Sequence, residues 1–133
     1  MTQSWKENHA LFLISTGALA WLVPGAGHFV LEERRRAVVI FVAIALTFLV
    51  GVYVGSIGVI DPVHAKPWYF AQMMNSPLVM LLGHIGAGGQ YRVFGRANEI
   101  GQIYTSIAGL LNLLCIVNAV YMAHVRSTPE AQA

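Results

Sequence analysis

Histidine is the side chain of this sequence best suited to chemistry, and the chain has five histidines. His9, His64 and His124 fall in predicted tails and loops, where solvated surface roles are expected. His28 and His84 each fall near the end of an apolar segment, so their rings could face each other at one depth and ligate a haem b iron or a metal ion. No close second His, Cys, Asp or Glu accompanies either ring, which favours hydrogen bonds at helix ends or interfaces.

Motifs for making or breaking bonds are missing from the sequence. It contains no Gly-x-Ser-x-Gly, no His-Glu-x-x-His, no phosphate-binding loop and no pair of carboxylates inside an apolar segment. The acidic residues all fall in predicted loops or tails, so no carboxylate marks a proton or ion path within a span. We therefore expect a protein that is not an enzyme, with no catalytic residues and no resident cofactor or metal.

The composition is that of a chain that lives in a bilayer. Of its 133 residues, 56% are hydrophobic and 11% are charged, and the mean hydropathy is +0.61. Soluble domains carry about 25% charged residues. The one cysteine, Cys115, excludes a disulfide scaffold, and eight basic against six acidic residues are too few for a nucleic-acid-binding surface.

The apolar segments define the predicted elements, because a helix needs roughly 20 apolar residues to cross a bilayer. Three segments meet that requirement, at 10–31, 37–60 and 103–124. A fourth, 68–90, lacks formal charge but contains Gln72, Asn75 and Pro77, so it is either a kinked full span or a re-entrant segment. The predicted fold is all-α: one transmembrane domain over 1–133, a polytopic protein of four transmembrane helices in two hairpins.

The first apolar segment also resembles a signal peptide in part. A short apolar stretch from Leu11 is followed by Ala18-Leu19-Ala20, a small-residue pattern typical of cleavage sites. The apolar run continues without interruption to Leu31, however, and Glu7 offsets the charge of Lys6. These features favour an ordinary first span.

The basic residues predict the orientation of the spans. With four spans, two loops on one side of the membrane hold five arginines, and both termini lie on the other side. These arginines are Arg34, Arg35, Arg36, Arg92 and Arg96. Because short cytoplasmic loops are rich in Lys and Arg, the arginine loops are expected in the cytoplasm. Both termini are then expected outside it, in a multi-pass protein of the bacterial inner membrane.

Small and polar residues predict the seams between helices, since membrane helices associate through such side chains. Two stripes stand out, one ending in Gly51 and Gly55 and the other formed by Ala108, Asn112, Cys115 and Ala119. A stranded amide in hydrocarbon costs about 2–7 kcal/mol. Asn112 and Asn118 are therefore expected to make interhelical hydrogen bonds, with a substrate or ion contact as the alternative.

Two glycine-rich elements could form a niche at helix ends. Pro24, Gly25, Gly27 and His28 end the first segment, and Gly86, Gly88 and Gln90 end the third. Each element leads through an arginine turn into another span, which suggests a duplicated hairpin in the same orientation. The alternatives are a tight, arginine-anchored helix end in each case, or a binding niche at the cytoplasmic face.

Two stretches carry a family resemblance. They run from Ala20 to Phe29, containing Pro-Gly-Ala-Gly-His-Phe, and from Ala108 to Leu114, reading Ala-Gly-Leu-Leu-Asn-Leu-Leu. Together they resemble a family of small, uncharacterised bacterial multi-pass membrane proteins with a Pro-Gly-x-Gly-His-aromatic helix end. The first stretch is also loosely similar to a two-helix membrane domain built around an aromatic-Leu-Gly-Arg turn. Here that turn reads Val30-Leu31-Glu32, and Asn118 stands where the resemblance leads one to expect an aspartate.

The resemblance implies location and topology and supplies no activity. Together with the missing catalytic groups and the short loops, it favours a non-catalytic accessory subunit that stabilises or assembles a larger inner-membrane complex. The expected partners are membrane lipids and other integral membrane subunits, or a second copy of the chain in a homo-oligomer. A small transporter or channel component and a haem- or metal-binding redox subunit are the alternatives.

Overall fold

The structure, a computed structural model, describes residues 2–87 and 95–128, and these residues are all-helical. They form six α-helices: α1 (Thr2–Leu22), α2 (Ala26–Val30), α3 (Arg34–Gly55), α4 (Lys66–Met73), α5 (Pro77–Gly86) and α6 (Arg96–Ser127). A single 3₁₀ turn, Ile57–Val59, follows α3. The all-α prediction is confirmed for this part of the chain.

Two helices, α3 and α6, are long and apolar enough to cross a membrane within the described ranges. They run antiparallel and pack closely through glycines. A Cβ added at Gly51 would lie 2.7 Å from Cγ2 of Thr105, and one at Gly55 would lie 2.9 Å from the carbonyl oxygen of Ala97. The contact therefore depends on the missing side chains of both glycines, which let the two backbones approach.

The chain reverses direction between α1 and α2. Gly17 of α1 approaches Val120 of α6, and Ala20 accepts a hydrogen bond from Asn112. After the turn, the chain runs back beside α6 towards the end of that helix. His28 is hydrogen-bonded to Asn118, and the carbonyl oxygen of Leu31 accepts a hydrogen bond from Arg126. Asn112 and Arg126 are about 21 Å apart along a helix that rises 1.5 Å per residue. α1, the turn and α2 therefore form a hairpin, called the first hairpin.

Pro24 and Gly25 explain the reversal. Proline cannot donate the backbone hydrogen bond that would continue α1. Gly25 adopts a left-handed conformation, with φ 87° and ψ −13°, and a Cβ there would overlap the backbone carbonyl of Ala37. Glycine is the residue that takes this conformation without steric cost.

A second hairpin is formed by α4 and α5. Along α4, Trp68 contacts Ser106 and Gln72 contacts Thr105, so the helix runs beside α6 towards Asn112. α5 then returns, because a Cβ at Gly83 would meet the ring of Tyr69 near the start of α4. The turn reads Asn75-Ser76-Pro77, in which Ser76 caps α5 and Pro77 occupies its first position.

The two hairpins enter the molecule from opposite ends and meet at their tips. One end, called the arginine end, holds the start of α1, the first residues of α3 and Arg126. The opposite end holds the end of α3 and the starts of α4 and α6. Each hairpin leads into one long helix, so the chain is built from two hairpin-plus-helix units of opposite orientation.

The four predicted spans differ from this arrangement in two places. Segment 10–31 is divided at Pro24-Gly25, and segment 68–90 is divided at Asn75-Ser76, so four transmembrane helices are not confirmed. The division of 68–90 agrees with the re-entrant alternative. The division of 10–31 was not expected, because the segment is long enough to cross and its proline was interpreted as marking a helix end.

Candidate functional site

Asn112 lies at the point where the hairpin tips meet. Its side-chain nitrogen donates to the carbonyl oxygens of Met74 and Asn75, both at 2.9 Å, and to that of Ala20 at 3.4 Å. The residue is fully buried. One amide on the long helix α6 therefore satisfies backbone carbonyls from both hairpins, which neither hairpin can satisfy alone.

The tips also bind each other directly. The indole N–H of Trp21 donates to the carbonyl oxygen of Met73 at 3.0 Å, and the hydroxyl of Ser76 donates to that of Leu22 at 3.0 Å. We call Trp21, Leu22, Met73–Ser76 and Asn112 the central junction. Its hydrogen bonds join the two hairpin tips to each other and to α6 in the middle of the molecule.

A second buried polar contact lies towards the opposite end. Gln72 is fully buried, and its amide nitrogen donates to the hydroxyl of Thr105 at 2.8 Å and to the carbonyl oxygen of Val59 at 3.1 Å. The Thr105 hydroxyl donates in turn to the carbonyl oxygen of Gly101 at 2.8 Å. These groups tie α4 to α6 and to the turn that follows α3.

His28 lies near the arginine end and is only 2% exposed. Its Nε2 lies 3.0 Å from Oδ1 of Asn118. Because a carbonyl oxygen can only accept, this hydrogen bond places the ring proton on Nε2. The contact joins α2 to α6 and supports the return limb of the first hairpin.

A cavity of about 610 Å³ opens beside this histidine; it is called the arginine-end cavity. The residues that line it come from α2, α3 and α6: His28, Arg35, Arg36, Val39, Ile40, Leu114, Cys115 and Asn118. The two arginines lie in the first turn of α3, and the apolar side chains lie deeper. The cavity can therefore accept a molecule with a negatively charged end and an apolar body.

The charges around the arginine end are paired in part. Glu33 forms ion pairs with Arg36, at 3.0 Å, and with Arg126. Arg126 also donates to the carbonyl oxygen of Leu31 at 2.7 Å. Arg34 lies over the ring of Phe29, 5.9 Å from its centroid. These contacts place the triple arginine at the same end of the molecule as the last turn of α6.

At the opposite end, Asp61 organises the turn that precedes α4. Its carboxylate accepts from the backbone N–H groups of Val63 and His64 at 2.8 and 3.0 Å, and Oδ2 lies 3.0 Å from Nδ1 of His64. Burial alone would raise the pKa of Asp61, but these hydrogen bonds and the nearby imidazole outweigh it and lower the pKa below 3.8. A cavity of about 170 Å³ adjoins this turn.

The two histidines of interest are not brought together. His28 lies at the level of Asn118, near the arginine end. His84 is exposed on α5, next to Gly83, which packs against Ile60 and Tyr69 at the opposite end. A single chain therefore offers no facing pair formed by these two rings.

The predicted packing residues lie at several contacts. Gly51, Gly55, Ala108, Asn112 and Ala119 are buried, and Ala119 approaches Gly27 of the first hairpin. Cys115 is half-buried and lines the arginine-end cavity. Gly109 is buried against Ala71 of α4. The sequence did not predict this contact, because Ala71 lies far from Gly109 along the chain.

The predicted niche is divided between the two ends. Pro24, Gly25, Gly27 and His28 belong to the first hairpin, whereas Gly86 ends α5 at the opposite end. Gly88 and Gln90 lie outside the described residues. The two glycine elements also occupy different positions in the fold. Pro24-Gly25 forms the tip of the first hairpin, whereas Gly86 lies at the end of α5, away from the hairpin tips. The two hairpin-plus-helix units have opposite orientations, whereas the sequence suggested a duplication in the same orientation.

Comparison with known proteins identifies one family. No curated protein and no solved structure matches the chain. A family model described as a family of unknown function, DUF6677, matches residues 15–130, which include the last part of α1 and all of α2 to α6. An uncharacterised family was expected from the resemblance. The chain belongs to this family of unknown function, DUF6677.

Proposed function

We propose that the chain is a multi-pass integral membrane protein in which α3 and α6 cross the bilayer and the two hairpins enter from opposite faces. Both long helices expose large apolar side chains, including Leu46, Leu49, Leu114 and Val117. Backbone that ends at membrane depth must have its polar groups satisfied by protein. The hydrogen bonds of the central junction satisfy the carbonyl oxygens of Ala20 and Leu22 in one tip and of Met73–Asn75 in the other, which supports this placement.

The positions of the basic residues support an orientation different from the one expected for four spans. Arg34, Arg35, Arg36 and Arg126 share one end of the molecule, and Lys66 and Arg96 share the other. By the positive-inside rule, the arginine end faces the cytoplasm. We therefore propose that both termini are cytoplasmic in a bacterial inner membrane, which reverses the placement derived from four spans.

This orientation is testable by labelling single cysteines in a Cys115→Ala background with a membrane-impermeant maleimide on intact cells. Glu99→Cys, in the first turn of α6, is expected to label, and Thr128→Cys is expected to be protected until the membrane is opened. Four spans with external termini predict the opposite for both positions. Val63→Cys and Arg34→Cys serve as controls, because both arrangements place the first outside and the second inside.

We propose that the protein acts as a non-catalytic accessory subunit that packs into and stabilises a larger membrane complex. The observation that carries this proposal is the central junction: hydrogen bonds join the hairpin tips in the middle of the monomer, where a path through it would run. The exposed apolar side of α6 supplies a surface for neighbouring subunits, including Leu110, Val117 and Tyr121. Helix association in a membrane depends in part on van der Waals packing, which these side chains would supply to a neighbouring subunit.

A small transporter or channel component is the second candidate, and one observation favours it. Hairpins that enter from opposite sides, each joined to a crossing helix, form an inverted arrangement of the kind found in transporters with broken helices. A solute pathway would then run between copies of the chain, because the joined hairpin tips occupy the middle of the monomer. The redox alternative lacks a facing pair of His28 and His84 in one chain.

Isolation from native membranes in mild detergent tests the subunit proposal. We expect integral membrane proteins to co-isolate with the tagged chain in fixed ratio, and the Leu110→Ala/Val117→Ala variant to lose them. The matched control is Val42→Ala/Leu46→Ala on the exposed side of α3. Solute flux through liposomes that contain only the purified chain would contradict the subunit proposal and support the transporter.

A further inference from the structure

We propose that the arginine-end cavity is a binding site for one anionic phospholipid, with the headgroup phosphate on Arg35 and Arg36 and an acyl chain along the wall formed by Ile40 and Leu114. This inference rests on the proposed membrane placement, because it needs the arginine end at the level of the lipid headgroups. It assigns a ligand to a cavity that the subunit proposal leaves without a role.

The shape of the cavity agrees with a lipid. Arg35 and Arg36 line the cavity in the first turn of α3, and Ile40 lines it just over one turn further along that helix. On α6 the lining runs from Leu114 to Asn118, about 6 Å along the helix axis. The lining therefore has a charged part and an apolar part, as a phospholipid has.

The charges at the mouth favour a negative headgroup. Four arginines and two glutamates lie in this region: Arg34, Arg35, Arg36, Arg126, Glu32 and Glu33. Glu33 is engaged by Arg36 and Arg126 together, so the excess is positive. The planar guanidinium group matches the geometry of phosphate oxygens, and anionic lipids are attracted to basic residues at a membrane surface.

The wall argues for a lipid and against a soluble anion. Val39, Ile40, Leu114 and Cys115 offer no charge to a ligand, and the polar pair of His28 and Asn118 uses its hydrogen bond within the protein. A free phosphate would leave this apolar surface uncovered. An acyl chain would cover it, since burying apolar surface is favourable.

Cys115 provides a built-in reporter, because it is the one cysteine of the chain and lines the cavity. The purified full-length chain in nanodiscs is treated with N-ethylmaleimide, and the alkylation rate is measured. We expect phosphatidylglycerol to slow the reaction several-fold relative to phosphatidylcholine. Inorganic phosphate added to phosphatidylcholine discs is expected to have no effect, and protection by phosphate alone would overturn the lipid assignment.

Arginine variants test the headgroup contact. Arg35→Gln and Arg35→Gln/Arg36→Gln are expected to lose the protection, whereas Arg34→Gln, from the same triplet but outside the cavity lining, is expected to keep it. The single Arg35 variant leaves the Glu33 ion pairs intact, so its result does not depend on refolding of the α3 start. Equal rates in both lipids, or full protection in the double variant, would overturn the proposal.

A second cysteine position controls for effects of the membrane surface. In a Cys115→Ala background, Leu111→Cys lies on α6 outside the cavity lining, and its alkylation is expected to respond much less to phosphatidylglycerol. Equal slowing at both positions would show a general surface effect and overturn the site. Protection of Cys115 that follows protein concentration instead of lipid charge would point to a second copy of the chain as the occupant, and would also overturn it. Either of these results would overturn the lipid site and leave the subunit proposal intact, because the subunit proposal depends on the central junction and on the outer side of α6.

Discussion

Replacing Asn112 with leucine is expected to destabilise the folded chain by about 3 kcal/mol. The substitution removes the donor shared by the carbonyl oxygens of Met74, Asn75 and Ala20. In the proposed membrane placement those carbonyls end helices at membrane depth, where no water replaces the lost partner. Leucine is similar in size to asparagine, so the substitution creates little cavity. The loss in the free energy of unfolding therefore reflects the missing hydrogen bonds. The free energy of unfolding in mixed micelles of a mild detergent and SDS provides the measurement.

Thr47→Val is the matched control for this change. It also removes a polar group from a long helix, but the Thr47 hydroxyl donates only to the carbonyl oxygen of Ala43 in its own helix, at 2.8 Å. We expect its effect to stay below about 0.5 kcal/mol. Equal losses for the two variants would contradict the role of Asn112 in joining the hairpins.

Two of the long elements follow directly from the sequence. Segment 37–60 overlaps α3, which ends at Gly55, five residues before the predicted bound, and segment 103–124 lies within α6. Both are uninterrupted apolar runs, and apolar length is a local property that a single sequence displays. α6 extends beyond its predicted bounds because Arg96–Gln102 form a polar first part of the helix, which hydropathy alone does not include.

The hairpins depend on contacts that a local pattern does not display. Pro24-Gly25 can end a helix or reverse the chain, and the choice depends on whether a partner accepts the return limb. Here the partner is α6, where Ala119 packs against Gly27 and Asn118 is hydrogen-bonded to His28. The second turn carried better local information, since Ser76 followed by Pro77 is a typical helix start.

The candidate site was predicted in its components and not in its arrangement. Asn112 was expected to bond between helices, but its three acceptors lie in two hairpins. The reversal of the first hairpin was not foreseen, and that of the second was foreseen as the re-entrant alternative. His28 was paired with His84 because four spans would put both rings at one depth. Once the first hairpin turns back, His28 returns to the arginine end and its partner becomes Asn118. The error in topology therefore explains the error in the site.

Replacing Gly109 with alanine is expected to destabilise the chain by about 3 kcal/mol, although it adds only one methyl group. A Cβ at this position would overlap the carbonyl oxygen of Ala71 and lie 2.9 Å from its carbonyl carbon. Both atoms belong to the backbone of α4, so no rotamer change relieves the overlap. Either α4 shifts away from α6 or the second hairpin opens, and unfolding in detergent and SDS measures the cost.

Gly86→Ala is the comparison that separates the steric effect from the removal of a glycine. A Cβ there would lie 3.5 Å from the carbonyl oxygens of Ile57 and Ile60, which is ordinary contact. Alanine also restricts the unfolded chain more than glycine, so this variant is expected to be neutral or slightly stabilising. If Gly109→Ala behaved like Gly86→Ala, α4 could not lie against α6 as closely as described. The second hairpin would then lack the contact that brings Asn75 to Asn112, and the central junction would lose its support.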